Sequence, residues 1–502
     1  MNTRNFIRRA GLRTRFAFLV VVAILWQLAP ARAGAPSGTS RSNAIFRAGA
    51  AAVDITPKKG VSLDGVISKP GPARDIHDPL HARALVLDDG QTRLAIVVAD
   101  LCMIDRETCD QAKAAVYKRT GLPTERVLIS AVHTHAAPRV RFGRRGPIDD
   151  EYYRFFIERV ADAVQKAIAN LQPAKVGWGS FEKPEYVRCR RLLCKPATVG
   201  PNPFGETGER VRSVAGKGGE VIGPAGPVDP QVFVLSVQHS DGCPLAVLAN
   251  FSVHYCGGYR RGLVSADYFG YFAGRLQERL LPDASHGHPP FVGIMSNGTS
   301  GNTSNIQTGG RRYKPFEWMQ ISGRILADET AAVVQRASHE PAAKLVMHET
   351  DLELSIRRPD AKRLEWARQV LSNPRGPHPH PWTVTYAREA LALSQYPATR
   401  PVKVQAIGIH RTDGSELGIA AIACEVFAET GLAIKADSPF PSTFTIALAN
   451  GEEGYLPPPK QHQWGGYEAW PARSSCLEVQ AEPKIRKAAL QLLEQCQHRS
   501  TE

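Results

Sequence analysis

Two histidines one residue apart close the apolar run Val127-Leu128-Ile129-Ser130-Ala131-Val132-His133-Thr134-His135. Alternate residues of an extended chain share a face, so His133 and His135 point the same way from a strand end. Two imidazoles so placed can bind a metal together, or one can bind while the other moves protons. The plainer alternative is a hydrogen-bonded pair. A second apolar run, Leu245 to Phe251, leads through Ser252-Val253 to His254, which taken alone also reads as a histidine near the core. A third, Gly418 to Ala423, ends at Cys424-Glu425 before an expected helix, whose N-terminus would itself favour an acid. A fourth, Phe291 to Met295, runs into Ser296-Asn297-Gly298-Thr299-Ser300-Gly301-Asn302-Thr303-Ser304-Asn305. That loop offers N–H groups and hydroxyls of the kind that receive an oxyanion; by itself it is a glycine-rich turn or a glycosylation acceptor. His, His and Glu together form a usual catalytic zinc set with a position left open.

Each candidate stands just past an apolar strand, where α/β proteins place their sites. Strands are expected over residues 46–55, 84–89, 93–101, 126–132, 231–237, 245–251, 291–295, 416–423 and 443–449. Helical spacing marks 106–120, 149–171, 266–281, 316–336, 360–371 and 483–496. This interleaving predicts an α/β fold, mixed β-sheets flanked by helices in a single large catalytic domain over residues 46–496. Lys195 to Pro230, rich in glycine and proline, reads as a long functional loop. With the segment Pro374–Trp382 it is expected to shape substrate choice.

The composition is that of an ordinary globular chain: 502 residues, 43% hydrophobic and 22% charged. Arg4, Arg8, Arg9, Arg13 and Arg15 precede an apolar run from Phe16 to Leu28 and then Ala31-Arg32-Ala33, the three regions of a secretory signal. Residues 1–33 are therefore expected to be a signal peptide, residues 34–45 a small-residue linker, and the protein exported to the periplasm or outside. The six arginines of residues 1–33 account for six of the net +14, leaving +8. That charge is dispersed, which argues against nucleic acid as a partner and leaves room for peripheral contact with an anionic membrane surface. Nine cysteines lack any Cys-x-x-Cys spacing, which argues against a thiolate zinc knuckle; Cys189 and Cys194 are the nearest candidates for a disulfide.

These motifs resemble the neutral (non-lysosomal) ceramidase family, over about residues 46 to 496. His133-Thr134-His135 matches that family's His-Thr-His motif at a strand end. The resemblance implies His133 as a zinc ligand and His135 as the neighbour that handles protons. His254 follows an Asn-Phe strand as the second zinc histidine does, and Cys424-Glu425 matches the segment of the zinc glutamate. Tyr455-Leu456-Pro457-Pro458-Pro459 and Gly465-Gly466-Tyr467-Glu468 reproduce a ligand tyrosine and a second functional tyrosine. Cys189-Arg190-Arg191 corresponds to the substrate-side arginine, pointing to Arg190. The chain departs from the family in three places. Asn302 stands where the family has an acid, although Ser304 keeps the hydroxyl. Ala136-Ala137-Pro138 lacks the usual Ser-Gly. No immunoglobulin-like domain is expected after the last helix.

The resemblance thus implies Zn2+ held by His133, His254, Glu425 and Tyr455, with His135 as base and Arg190, Tyr467 and Ser304 around the reacting carbonyl. The expected substrate is a small-molecule or lipid amide. The rival expectation is an exported lipid- or glycan-binding protein that keeps the fold without catalysis.

Overall fold

Alternate residues of the first strands belong to different cores, and that alternation sets the layers. In a computed structural model, β1 (Arg47–Asp54), β2 (His81–Asp88) and β3 (Arg93–Ala99) turn Ala48, Ala50, Leu85, Leu87, Leu94 and Ile96 into one core. Their neighbours Ala51, Val53, Ala84, Val86, Ala95 and Val97 form another, together with residues of helices α1 (Arg106–Thr120) and α2 (Asp150–Ala169). The structure describes residues 45–65, 71–141, 149–212, 218–281, 287–305 and 312–498. All of them lie in one compact unit, Ala44–Glu502. The expected signal peptide, and the linker apart from its last residue, lie outside the described residues.

Five more strands complete the first sheet: β4 (Val127–Ala131), β5 (Gln172–Glu182), β6 (Gln231–His239), β7 (Pro244–Phe251) and β8 (Val292–Asn297). The eight run in the order β8-β7-β6-β5-β1-β2-β3-β4. Only the outermost pairs, β7–β8 and β3–β4, are parallel. A second sheet joins β9 (Ala342–Ser355), β10 (Thr399–Arg411), β11 (Glu416–Ile422) and β12 (Ser442–Ala447), in that order, with β11–β12 parallel. Ile407, Ile409, Leu417 and Ile419 of this sheet share the core of Ala48 and Leu85, so the two sheets pack face to face.

Helices cover the outer faces. Asp105 caps α1 by accepting from Thr108 N–H, and Gly121 ends it in the left-handed region at φ 71°. α3 (Asp267–Leu280) and α4 (Glu317–Arg336) pack closely because Gly323 lacks a Cβ, which would meet the Tyr268 carbonyl at 2.7 Å. α5 (Ala361–Ser372) and α6 (Thr383–Leu393) meet through Ala367, Ala387 and Ala390. α7 (Ala428–Asp437) and α8 (Pro459–Trp464) follow Glu425 and Tyr455, and α9 (Ala481–Gln497) lays Ile485, Ala489 and Leu493 against Val402 and Val404.

The α/β architecture of mixed sheets and flanking helices is the one expected, but some elements differ. β5, β9, β10 and α6 are absent from the expected set. β9 and β10 hide behind charge: Glu349 and Asp351 pair across the ladder with Lys403, so the strands read as polar. The loop expected over 195–230 contains the strands Val211–Arg212 and Val221–Pro224, both paired to Leu192–Cys194. All nine cysteines are described and none is in a disulfide; Cys189 and Cys194 are separate buried thiols. Among the described residues, no helix is long and apolar enough to cross a membrane.

Candidate metal centre

His133 and His135, His254, the Ser304 loop and Glu425 leave the carboxyl ends of strands in parallel pairs: β4, β7, β8 and β11. Two buried amides draw these ends together. Asn297, ending β8, donates from Nδ2 to the Val132 carbonyl at 2.9 Å. Asn450, just past β12, accepts from Ile129 N–H at 3.1 Å, and its own N–H donates to the Ile129 carbonyl at 2.7 Å. Edges of both sheets are thereby joined at one place.

There His133 Nε2 lies 2.9 Å from His254 Nε2 and 3.4 Å from Glu425 Oε2. His254 Nε2 is 3.9 Å from the same carboxylate oxygen, and all three side chains are buried. His133 reaches this point by a turn, not by strand alternation. β4 ends at Ala131, and His133 adopts φ 77°, a conformation that costs a non-glycine residue about 1–3 kcal/mol. The alternation expected to align His133 with His135 is therefore not what aligns them, although the rings do converge: His135 Nε2 stands 3.2 Å from His133 Nε2.

The polarity of the cluster decides what it can hold. His133 Nδ1 donates to the Cys102 carbonyl at 2.9 Å, and His254 Nδ1 to the Ser300 carbonyl at 3.1 Å. A carbonyl only accepts, so in neutral rings both Nε2 atoms present lone pairs. Two lone pairs and a carboxylate oxygen then converge, and Glu425 Oε2 has no hydrogen-bond partner. A divalent cation answers all three at once, and two imidazoles with a carboxylate suit zinc. Cys102, His133 and His135 are also close enough to share an ion, but burial pushes the Cys102 thiol well above its usual range and disfavours the thiolate.

Around this group lie the other expected residues. Burial, and then the nearby His133, depress the proton affinity of His135, whose ring stacks on Tyr255 at 4.0 Å. Burial also depresses that of His254, with Arg190 next in effect. Tyr455 and Leu456 pair in parallel with Glu425 and Val426, and the Tyr455 hydroxyl is 3.2 Å from that of Tyr467. Burial raises both phenols well above their usual range; the Glu425 charge adds to this at Tyr455. The Arg190 guanidinium sits 5.5 Å from the Tyr455 ring centre and 5.3 Å from that of Tyr467. Its Nη2 donates to the Gly301 carbonyl at 2.8 Å. Ser304 lies on a two-residue strand whose backbone pairs it with Arg188.

Asn302 has work of its own. Its Oδ1 accepts from Ala428 N–H at 2.9 Å, in the first turn of α7, and its Nδ2 donates to Glu429 Oε2 at 2.8 Å. An acid in its place would oppose the Glu429 carboxylate. Sequence reasoning passed over Tyr255, Cys102, Arg191, Glu429 and Glu468. The one available signal was Glu468, an acid set between Tyr467 and the apolar pair Ala469-Trp470.

Comparison with known proteins gives concordant matches. Residues 46–314 match the family described as neutral/alkaline non-lysosomal ceramidase, N-terminal. His133, His135, Arg190, His254 and Ser304 fall inside that match; Glu425, Tyr455 and Tyr467 lie beyond it. The chain is 26% identical to the neutral ceramidase of Pseudomonas aeruginosa over 273 residues, 52% of this chain and 36% of that protein. It is 24% identical to neutral ceramidase B of Dictyostelium discoideum over 277 residues, 53% of this chain and 36% of that protein. The matched part thus spans about a third of these relatives' length. The crystal structure of neutral ceramidase from Pseudomonas aeruginosa superposes with TM-score 0.64 at 17% identity, covering 92% of this chain and 76% of that one. A structure of a ceramidase complexed with C2 also gives 0.64, at 15% identity, covering 89% and 75%. At such identities the superpositions speak for the fold.

Proposed function

Because the chain belongs to the neutral/alkaline non-lysosomal ceramidase family, we propose that it is a zinc-dependent amidohydrolase that cleaves an N-acyl lipid of the ceramide kind. The observation that carries this reading is the convergence of His133 Nε2, His254 Nε2 and the unpartnered Glu425 Oε2, with both Nδ1 atoms committed to carbonyls. Tyr455, paired to Glu425 through its strand, would complete the ligand set. When bound, zinc supplies a Lewis acid and an activated water at neutral pH.

The chain's own side chains do the rest. His135, adjoining the ligands, accepts the proton released as the amide carbonyl is attacked, and returns it to the leaving amine. Arg190 and the Tyr467 hydroxyl donate toward the oxygen that gains charge, in a buried setting where such donors act most strongly. The Ser304 hydroxyl and its loop supply further donors. Peripheral contact with a membrane surface would bring the lipid to the site, and export through residues 1–33 belongs to the same reading.

The purified protein, assayed for metal and then incubated with a medium-chain ceramide, tests this reading. About one zinc per chain is expected, with release of fatty acid that chelation abolishes and zinc restores. A protein that takes up no metal, or hydrolysis indifferent to chelation, would end it.

A further inference from the structure

Glu468 is fully buried, and two guanidiniums converge on it. Its Oε1 accepts from Arg190 Nε at 3.1 Å and its Oε2 from Arg191 Nη1 at 2.5 Å. Arg191, equally buried, spends its remaining nitrogens elsewhere. Its Nε donates to Gln461 Oε1 at 3.1 Å, and its Nη2 to the Gly465 carbonyl at 2.6 Å. Arg191 therefore pins the turn after α8 that leads into Tyr467. Arg190 is held from two sides: Nε by Glu468 and Nη2 by the Gly301 carbonyl, while its backbone N–H donates to the Asn302 carbonyl at 2.9 Å. Those bonds use the Nε hydrogen and one of the two on Nη2, and leave both on Nη1 and one on Nη2.

The contacts close a ring. From Asn302 the path runs through Glu429 to Gln461, then to Arg191, Glu468, Arg190 and back to Gly301 beside Asn302. Within this ring two carboxylates, Glu429 and Glu468, stand with two guanidiniums, and Glu468 alone touches both of them. On its open side Arg190 lies over Tyr455 and Tyr467. Acceptors at Nε and at Nη2, from two different segments, fix the plane of the Arg190 guanidinium as well as its place.

We infer that Glu468 is a positioning residue: with the Gly301 carbonyl it holds the Arg190 guanidinium so that both N–H groups of Nη1 and the second of Nη2 are left to donate to a substrate oxygen. It also couples that placement to the turn carrying Tyr467. This rests on the proposed hydrolysis for its substrate, but the geometry can be tested without turnover.

The test is a double-mutant cycle on E468Q and R190K in zinc-loaded protein. One readout is kcat and KM on a short-chain ceramide; the other is the Kd of dodecanoate, the kind of carboxylate product the reaction releases. Each single variant is expected to lose about 10- to 100-fold in kcat/KM and to bind dodecanoate more weakly, with zinc content unchanged. The double variant is expected to be no worse than the weaker single one. E468D, shorter but still acidic, should regain part of the loss. Losses that multiply in the double variant, or an E468Q protein indistinguishable from the parent, would overturn the inference. If the parent cleaves no ceramide, the substrate reading fails and the dodecanoate cycle still judges Glu468. If E468Q does not fold, the cycle is run with E468D under the same two criteria.

Discussion

Two buried polar clusters lie on either side of His135 and follow opposite rules. On one side Arg141 donates from Nε and Nη2 to Asp64 at 2.5 and 2.7 Å, and from Nη1 to Glu452 at 2.9 Å. Here the chain provides its own cation, and the acids are answered from within. On the other side His133, His254 and Glu425 bring together three electron-pair donors, and the side chain that could have answered them, Arg190, is committed to Glu468 and Gly301. The two clusters are close neighbours: a Cβ at Gly65, next to Asp64, would meet His135 Cγ at 2.6 Å. Their contrast teaches that burial of polar groups tells little by itself. What matters is whether the donor and acceptor inventory closes without a ligand.

The comparison breaks most sharply at the metal side. E425Q or H254A should lower hydrolysis at least about 1,000-fold and abolish stoichiometric zinc, read by metal analysis alongside the ceramide assay. Retained zinc in either variant would show that the ion sits elsewhere. H135N removes the proposed base and none of the proposed ligands, so zinc should stay while kcat falls about 100- to 1,000-fold. Zinc loss in that variant would instead make His135 a ligand.

At the other cluster, R141M takes from Asp64 its two shortest bonds, leaving Arg139 at 3.6 Å, and takes from Glu452 its bond to Arg141. It should cost about 3–5 kcal/mol of stability in denaturant titrations at neutral pH. Burial alone would raise the Asp64 pKa, but the Arg141 charge and hydrogen bonds outweigh it and hold the carboxyl below its ordinary range. A depressed native pKa contributes stability that is present above the unfolded value and lost as pH falls through the native one. The gap between the parent and R141M should therefore narrow below about pH 4. A gap that does not change with pH would place the loss in packing. The mildest expected effect is at Asn302. N302D swaps the amide that donates to Glu429 for a second acid, and should cost about 1–2 kcal/mol, recovering as Glu429 protonates in mild acid. An N302D protein more stable or more active than the parent would mean that the amide is not required by its present neighbours.

Much of the fold could be read from pattern. β4, β7, β8 and β11 are strands buried on both faces, so they read as unbroken apolar runs, and their shortness and the polar residues after them rule out a helix. β9 and β10 were hidden for the opposite reason: their ladder carries Glu349 and Asp351 against Lys403, a compensation visible only after pairing. The site was legible as types and positions. His133, His254, Glu425 and Tyr455 all stand just beyond strands or in short polar segments, and residue type limits what each can donate or accept. Arg191 and Glu468 were not legible, since a buried ion pair depends on which distant segments meet.

Sequence alone determined the donors: two imidazoles and a carboxylate, each placed just past an apolar run, a phenol after a polar segment, and an arginine in a polar turn. Tertiary structure alone decided their polarity. The positive φ of His133, the carbonyls of Cys102 and Ser300 opposite the two Nδ1 atoms, and the grip of Glu468 on Arg190 all join residues far apart in the chain. A side chain's chemistry is local, but the direction in which it offers a lone pair or a proton is set by whatever the fold packs behind it.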